Sequence, residues 1–204
     1  MRAVRSRYPV FLSTAVAALS IVSLSSAKGS GTADISGIRI KNFGVVSENL
    51  YRGAQPRPED YKDLASLGIK TVVDLQNEGE RAEESQVEAT GMKFFRVGMS
   101  DRSWPDSSKV DALFKILDDP QNQPIFMHCR GGHHRTGIMS ALYRIRHDNW
   151  DIQRACDEMD KFGFNTGMGH GGLKGFVRDY YTQYTRSSQV TPNQVVTDAA
   201  ARQP

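Results

Sequence analysis

Apolar residues recur through the middle of the chain with two alternating periods, and the alternation predicts the layout of the fold. Strand-like apolar stretches fall at residues 38–51, 69–75, 92–97 and 123–128. Helical patterns fill the intervals between them. Pro58-Glu59-Asp60 opens a helix with proline in its first turn and acids near its positive pole, and Gly68 closes it. Residues 80–90 read as a helix stopped by Gly91. Residues 107–117 form a third helix with Val110, Leu113, Phe114 and Leu117 on one face. A fourth covers residues 136–146, with Ile138, Leu142 and Ile145 in step, and two more are expected at 151–162 and 173–184. Strands alternating with helices predict a single α/β domain. Its mainly parallel central sheet is flanked by helices, with ligands at the carboxyl ends of the strands.

The chain ends read differently. Arg2, Arg5 and Arg7 precede an uncharged stretch that closes on Ser25-Ser26-Ala27, which predicts a secretory signal peptide over residues 1–27 and a periplasmic or secreted protein. Its apolar part is short for a membrane span. A retained anchor is the alternative; after cleavage no stable membrane association is expected. The whole chain carries 26 basic and 23 acidic residues, and the leader holds three arginines and no acids, leaving 23 of each sign. That balance argues against a nucleic-acid partner. Residues 186–204 are polar, alanine-rich and without an apolar period, and are expected to be disordered. Residues 28–185, about 160 in all, suffice for one domain with one core.

Between the fourth strand and the fourth helix runs His128-Cys129-Arg130-Gly131-Gly132-His133-His134-Arg135-Thr136-Gly137. A cysteine and an arginine stand at the two ends of a five-residue, glycine-containing loop that leads into a helix N-terminus. Unpaired N–H groups and the positive dipole end at such a terminus attract an oxyanion and favour the thiolate form of a neighbouring cysteine. Gly131 and Gly132 permit the curvature that turns successive N–H groups inward. The planar guanidinium of Arg135 suits two phosphate oxygens at once. The loop therefore predicts a phosphate cradle with Cys129 as nucleophile and Arg135 as clamp. Substrate contacts fall to Arg130, Gly131, Gly132, His133, His134 and Thr136. Thr136 also suits a first-turn helix cap. A structural cysteine in a turn, or the shorter anion loop of rhodanese-type sulfur transferases, are the competing readings.

The pattern His-Cys, five residues, Arg, then Ser or Thr resembles the signature loop of the protein tyrosine phosphatase superfamily, matched at His128, Cys129, Gly132, Arg135, Thr136 and Gly137. Leu50-Tyr51-Arg52-Gly53-Ala54-Gln55-Pro56 and the run from Leu67 to Leu75 are similar to the opening of bacterial and plant-and-fungal atypical dual-specificity phosphatases. The likeness extends coarsely over residues 44–184. It implies a tyrosine/dual-specificity phosphatase-like fold and hydrolysis of phosphomonoesters through a phosphocysteine, with no cofactor and no metal. Arg52 and Asp74 read as structural, and His128 as an orienting group.

Such chemistry also needs a proton donor for the leaving oxygen. Alignment of Val97-Gly98-Met99-Ser100-Asp101 with the corresponding dual-specificity phosphatase loop places Asp101 there. Trp104-Pro105-Asp106 spells the acid loop of the larger tyrosine phosphatases, yet Asp106 directly precedes a helix and suits an N-cap. Both stay open, Asp101 first. Arg130, His133 and His134 add positive charge around the cradle, which suits a substrate with several phosphates. In phosphoinositide phosphatases of the superfamily lysines stand at the positions of Arg130 and His133, and in the plant-and-fungal group a Lys-His pair resembles His133-His134. The resemblance thus implies an inositol polyphosphate, as in tyrosine-phosphatase-like phytases, with better activity on the acidic side because histidine replaces lysine. A phosphotyrosine peptide as substrate, or a non-catalytic phosphate-binding module, are the alternatives. The five histidines show no ligand spacing. Cys156, the only other cysteine, reads as buried on its helix, with a Cys129 pairing as the oxidised alternative.

Overall fold

The computed structural model describes residues 34–167 and 170–189 of the 204-residue chain. The expected signal peptide over 1–27 and the tail from residue 190 onward lie outside the described residues.

The apolar stretch predicted as one strand region over residues 38–51 folds as a hairpin. β1 (Gly44–Ser47) turns through Glu48 and Asn49 and returns as β2 (Leu50–Ala54). β2 escaped the apolar pattern because Arg52 and Gly53 interrupt it, yet all five of its residues are buried. The cause is its position inside the sheet. With β3 (Thr71–Gln76), β4 (Lys93–Met99) and β5 (Ile125–Cys129), the strand order is β1-β2-β5-β3-β4, and β1 alone runs antiparallel.

α1 (Asp60–Ser66) and α2 (Glu83–Glu88) cover one face, where Tyr61, Leu64 and Val87 meet Tyr51, Val72 and Phe126. α3 (Ser107–Leu117), α4 (His134–Asp148), α5 (Ile152–Lys161) and α6 (Gly171–Gln189) cover the other, where their apolar sides meet Val73, Leu75, Ile125 and Met127. Covering both faces explains why every residue of β3 and β5 is buried. α3 matches its predicted span. α2 is shorter than the predicted 80–90, and α4 starts two residues early, at His134. α6 continues through residues 186–189, which the apolar period had left in the tail. The Ser187 and Ser188 hydroxyls donate to the Tyr184 carbonyl and satisfy the last turns from within.

The alternation along β5 settles which side chains can reach the site. Ile125, Met127 and Cys129 belong to the four-helix side; Phe126 and His128 face α1 and α2. There His128 Nε2 lies 2.8 Å from Glu83 Oε1, and His128 Nδ1 lies 4.0 Å from Asp74 Oδ1, all three side chains fully buried. Tyr61 Oη and Gln55 Nε2 each donate to Glu83 Oε1 at 2.9 Å. Arg96 reaches Asp74 Oδ2 from Nε at 2.9 Å and Glu83 Oε2 from Nη2 at 3.5 Å. The three residues offer ligand atoms within 4.8 Å of one another. The Arg96 guanidinium already supplies the cation that this donor set would otherwise seek.

Burial pushes Glu83 up, but His128 and the two donors outweigh it and hold its carboxyl below the ordinary value of 4.5. A folded value below the unfolded one gives stability that is complete above the ordinary carboxyl range and is lost as pH falls through the folded value. Glu83→Gln is therefore expected to lower Tm at pH 7 by about 5 °C or more. The gap to wild type should close as pH falls below the ordinary carboxyl value of 4.5 and through the lower folded value. Thermal melts across that range check it, and a constant gap would contradict the assignment.

Candidate active site

β5 delivers Cys129 to its carboxyl end, 2% exposed, and the chain then curls through Arg130 to His133 into α4. The curl is tight against β2. Gly132 has φ +70°, and a Cβ there would lie 2.6 Å from Gly53 C and 2.7 Å from Gly53 O, so only glycine fits. Every carbonyl on the outer side of the curl is held by the scaffold. Arg130 O accepts from Gln55 N at 3.3 Å. Gly131 O and Gly132 O accept from Asn42 Nδ2 at 3.4 and 3.0 Å, and Gly132 O also takes Arg52 Nη2 at 2.7 Å. Among the described residues, no protein acceptor meets the N–H groups of Arg130 to Thr136. The buried Arg135 Nε and Thr136 Oγ1 are likewise without partners. Buried donors without partners are costly unless an anion completes them, at about 1–3 kcal/mol for each. The ring of donors suits phosphate.

The three variable residues of the loop are not equivalent. Arg130 is exposed. His133 Nδ1 lies 2.9 Å from Phe162 O and 3.1 Å from Asn42 Nδ2, so the ring is anchored on its Nδ1 side. His134 Nε2 donates to Asn165 O at 3.2 Å, leaving Nδ1. The His134 ring stacks on that of His170, centroids 3.7 Å apart, with Phe164 at its edge. Burial, followed by the neighbouring charge of His170, lowers the His134 pKa from its usual value near 6.5. The permanent charges of the loop are the guanidinium groups of Arg130 and Arg135.

Both candidate acids lie on the connection between β4 and α3, and the structure gives them different work. Asp106 is the N-cap of α3: its Oδ1 accepts from Ser108 N at 2.8 Å, and the Ser108 bonds hold its carboxyl below the ordinary range. Asp101 is half-buried, and among the described residues its carboxylate has no hydrogen-bond partner. Its carbonyl accepts from His170 Nδ1 at 2.6 Å. Trp104 Nε1 donates to Gly172 O at 2.9 Å, docking the same connection on the start of α6. The chain Asp101–His170–His134 thus ties the acid-bearing loop to the cysteine loop. Cys156 lies on α5 beside Ala155 and Met159, its thiol pushed up by burial, and both cysteines are unpaired.

Asn42, Glu83 and His170 carried no signal in the sequence. Asn42 sits at φ 57° in a turn 89 or 90 residues from the carbonyls it holds, and His170 stands alone in a glycine-rich stretch.

Comparison with known proteins agrees with this geometry. A model described as "Tyrosine phosphatase family" matches residues 37–198. The inositol diphosphatase DSP3 of Arabidopsis thaliana is 31% identical over 144 residues, 68% of this chain and 66% of its own. The inositol diphosphatase SIW14 of Saccharomyces cerevisiae is 33% identical over 61% of this chain and 46% of its own. The dual specificity protein phosphatase TpbA of Pseudomonas aeruginosa is 33% identical over 60% and 55%. The chain thus spans between 46% and 66% of the length of these relatives. The core catalytic domain of SIW14, solved with citrate, superposes with a TM-score of 0.60 at 27% identity, covering 73% of this chain and 93% of that one. A TpbA variant solved with pTyr gives 0.60 at 26% identity, covering 73% and 91%. With its cysteine loop, its five-stranded sheet and a family match over most of its length, the chain belongs to the tyrosine phosphatase family.

Proposed function

We propose that this chain is a cysteine-based phosphomonoesterase that works through a phosphocysteine and acts, in the manner of a phytase, on inositol polyphosphates. The observation that carries the reading is the loop itself: its carbonyls tied to the scaffold, its N–H groups without a protein acceptor among the described residues, and Cys129 buried at its start. In the first half-reaction the Cys129 sulfur attacks phosphorus in line, the bond to the leaving oxygen breaks, and Asp101 gives that oxygen its proton. The loop N–H groups and Arg135 hold the equatorial oxygens. In the second, Asp101 as carboxylate takes a proton from water, which attacks the phosphocysteine, and the sulfur departs with Thr136 beside it. Asp106 is ill-suited to the acid's part, because an acid must hold its proton near working pH and the cap bonds of Asp106 favour its ionised form.

Substrate class rests on the exposed Arg130 beside Arg135 and on the two inositol diphosphatases among the relatives. A second reading, a tyrosine or dual-specificity protein phosphatase, is favoured by the likeness to TpbA. The leader expected over residues 1–27 leads us to infer that the protein works in the periplasm or outside the cell.

Phosphate release from inositol hexakisphosphate, an inositol pyrophosphate and a phosphotyrosine peptide, measured side by side between pH 4 and 8, tests both levels. Cys129→Ser should abolish release, and Asp101→Asn should lower kcat by about 100-fold or more. Asp106→Asn should keep kcat within about twofold, since Asn remains a good N-cap. Loss of activity in Asp106→Asn with Asp101→Asn unaffected would reverse the acid assignment. Peptide turnover without release from either inositol compound would select the second reading.

A further inference from the structure

Among the described residues, Arg52 is a buried charge that the reaction scheme above does not use and that, unlike Asp60, Asp74 and Glu83, has no ion-pair partner. Arg52, in the middle of β2, has a fully buried side chain. Its guanidinium lies 4.0 Å from the centre of the Phe162 ring, and Nη2 donates to Gly132 O at 2.7 Å. Nε and Nη1 have no acceptor. Among the described residues no carboxylate comes within ion-pair distance. Glu158, whose charge does reach Arg52, is itself held by Arg144 Nη2 at 2.8 Å. Burial lowers the Arg52 pKa to about 10, with Glu158 and Cys129 opposing, which still leaves it charged at neutral pH.

A buried cation without a counter-ion costs folding free energy, and folds seldom tolerate one without a return elsewhere. Besides Glu158, the negative charge that reaches Arg52 is that of Cys129, at the head of the loop whose Gly132 carbonyl Arg52 already binds. We propose that Arg52 is a positioning residue of the anion cradle: its charge is offset by the anion that enters the loop and by the Cys129 sulfur, and its bond to Gly132 O keeps that carbonyl turned out of the cradle. The two roles reinforce each other. The carbonyl that would repel an anion is pulled away by the same group whose charge attracts one. The inference rests on Cys129 and its loop being the phosphate site.

Arg52→Gln removes the charge and keeps a donor for Gly132 O, whereas Arg52→Lys keeps the charge and loses the forked geometry. Three quantities are read on the full chain: the dissociation constant for inorganic phosphate, the rate of Cys129 alkylation by iodoacetamide at pH 6, and Tm. Arg52→Gln is expected to weaken phosphate binding at least tenfold and to slow Cys129 alkylation at least fivefold, with Tm equal to or above that of wild type. Arg52→Lys should recover most of both losses. Equal losses in the two variants, wild-type phosphate affinity in Arg52→Gln, or failure of Arg52→Gln to fold would each overturn the proposal. Wild-type protein that neither binds phosphate nor reacts at Cys129 faster than an ordinary thiol would instead remove the phosphate site on which the inference depends.

Discussion

The site depends on holding three consecutive carbonyls out of a tight curl. A loop of five residues can surround an anion with N–H groups only if its C=O groups point the other way, and left alone the backbone has no reason to choose that arrangement. Here the choice is made by residues outside the loop: Gln55 N holds Arg130 O, Asn42 holds Gly131 O and Gly132 O, and Arg52 holds Gly132 O as well. Gly132 lets the backbone come within contact of Gly53, and β2 in turn is fixed by its parallel pairing with β5, from Leu50 opposite Ile125 to Ala54 opposite Cys129. The strand that carries the cysteine and the strand that carries the carbonyl anchor are thus neighbours by register.

The sheet also sorts the charged groups. Alternation along β5 sends Cys129 toward α4 and His128 toward α2, so two adjacent residues of the same motif serve different cores. His128 is held in a cluster with Glu83, Asp74 and Arg96, where two carboxylates lie against one guanidinium. Arg52 is the opposite case, a buried charge on the far side of the same strands with nothing of its own to pair with. One cluster is built to be stable when the cradle is empty, and the other arrangement is completed by what fills it.

How much of this was legible in the sequence follows from the range of the interactions. α3, the strand before Cys129 and the cradle residues Cys129, Gly132 and Arg135 were legible because helix spacing, apolar runs and a loop of fixed length are local signals. Asp106 was legible as a cap because capping acts within three residues. β2 was not, since a buried arginine and a glycine break the apolar alternation and only the finished sheet shows why they are there. Asn42 and His170 were invisible for a different reason: each acts across 69 or more residues, on a backbone carbonyl that carries no side-chain signature. His133 and His134 read as a simple pair of added charges, whereas each ring is anchored on the side of one nitrogen and His134 is further shielded by its stack on His170.

The central claim is that the phosphoryl group passes through the sulfur of Cys129. It is tested most directly by acid-quenching the protein during turnover of inositol hexakisphosphate and locating the trapped phosphate by peptide mass spectrometry. The account predicts phosphate on Cys129, accumulating further in Asp101→Asn, where attack by water on the intermediate loses its base. Turnover with no phosphate on Cys129, or with the phosphate carried by a histidine of the loop, would contradict it.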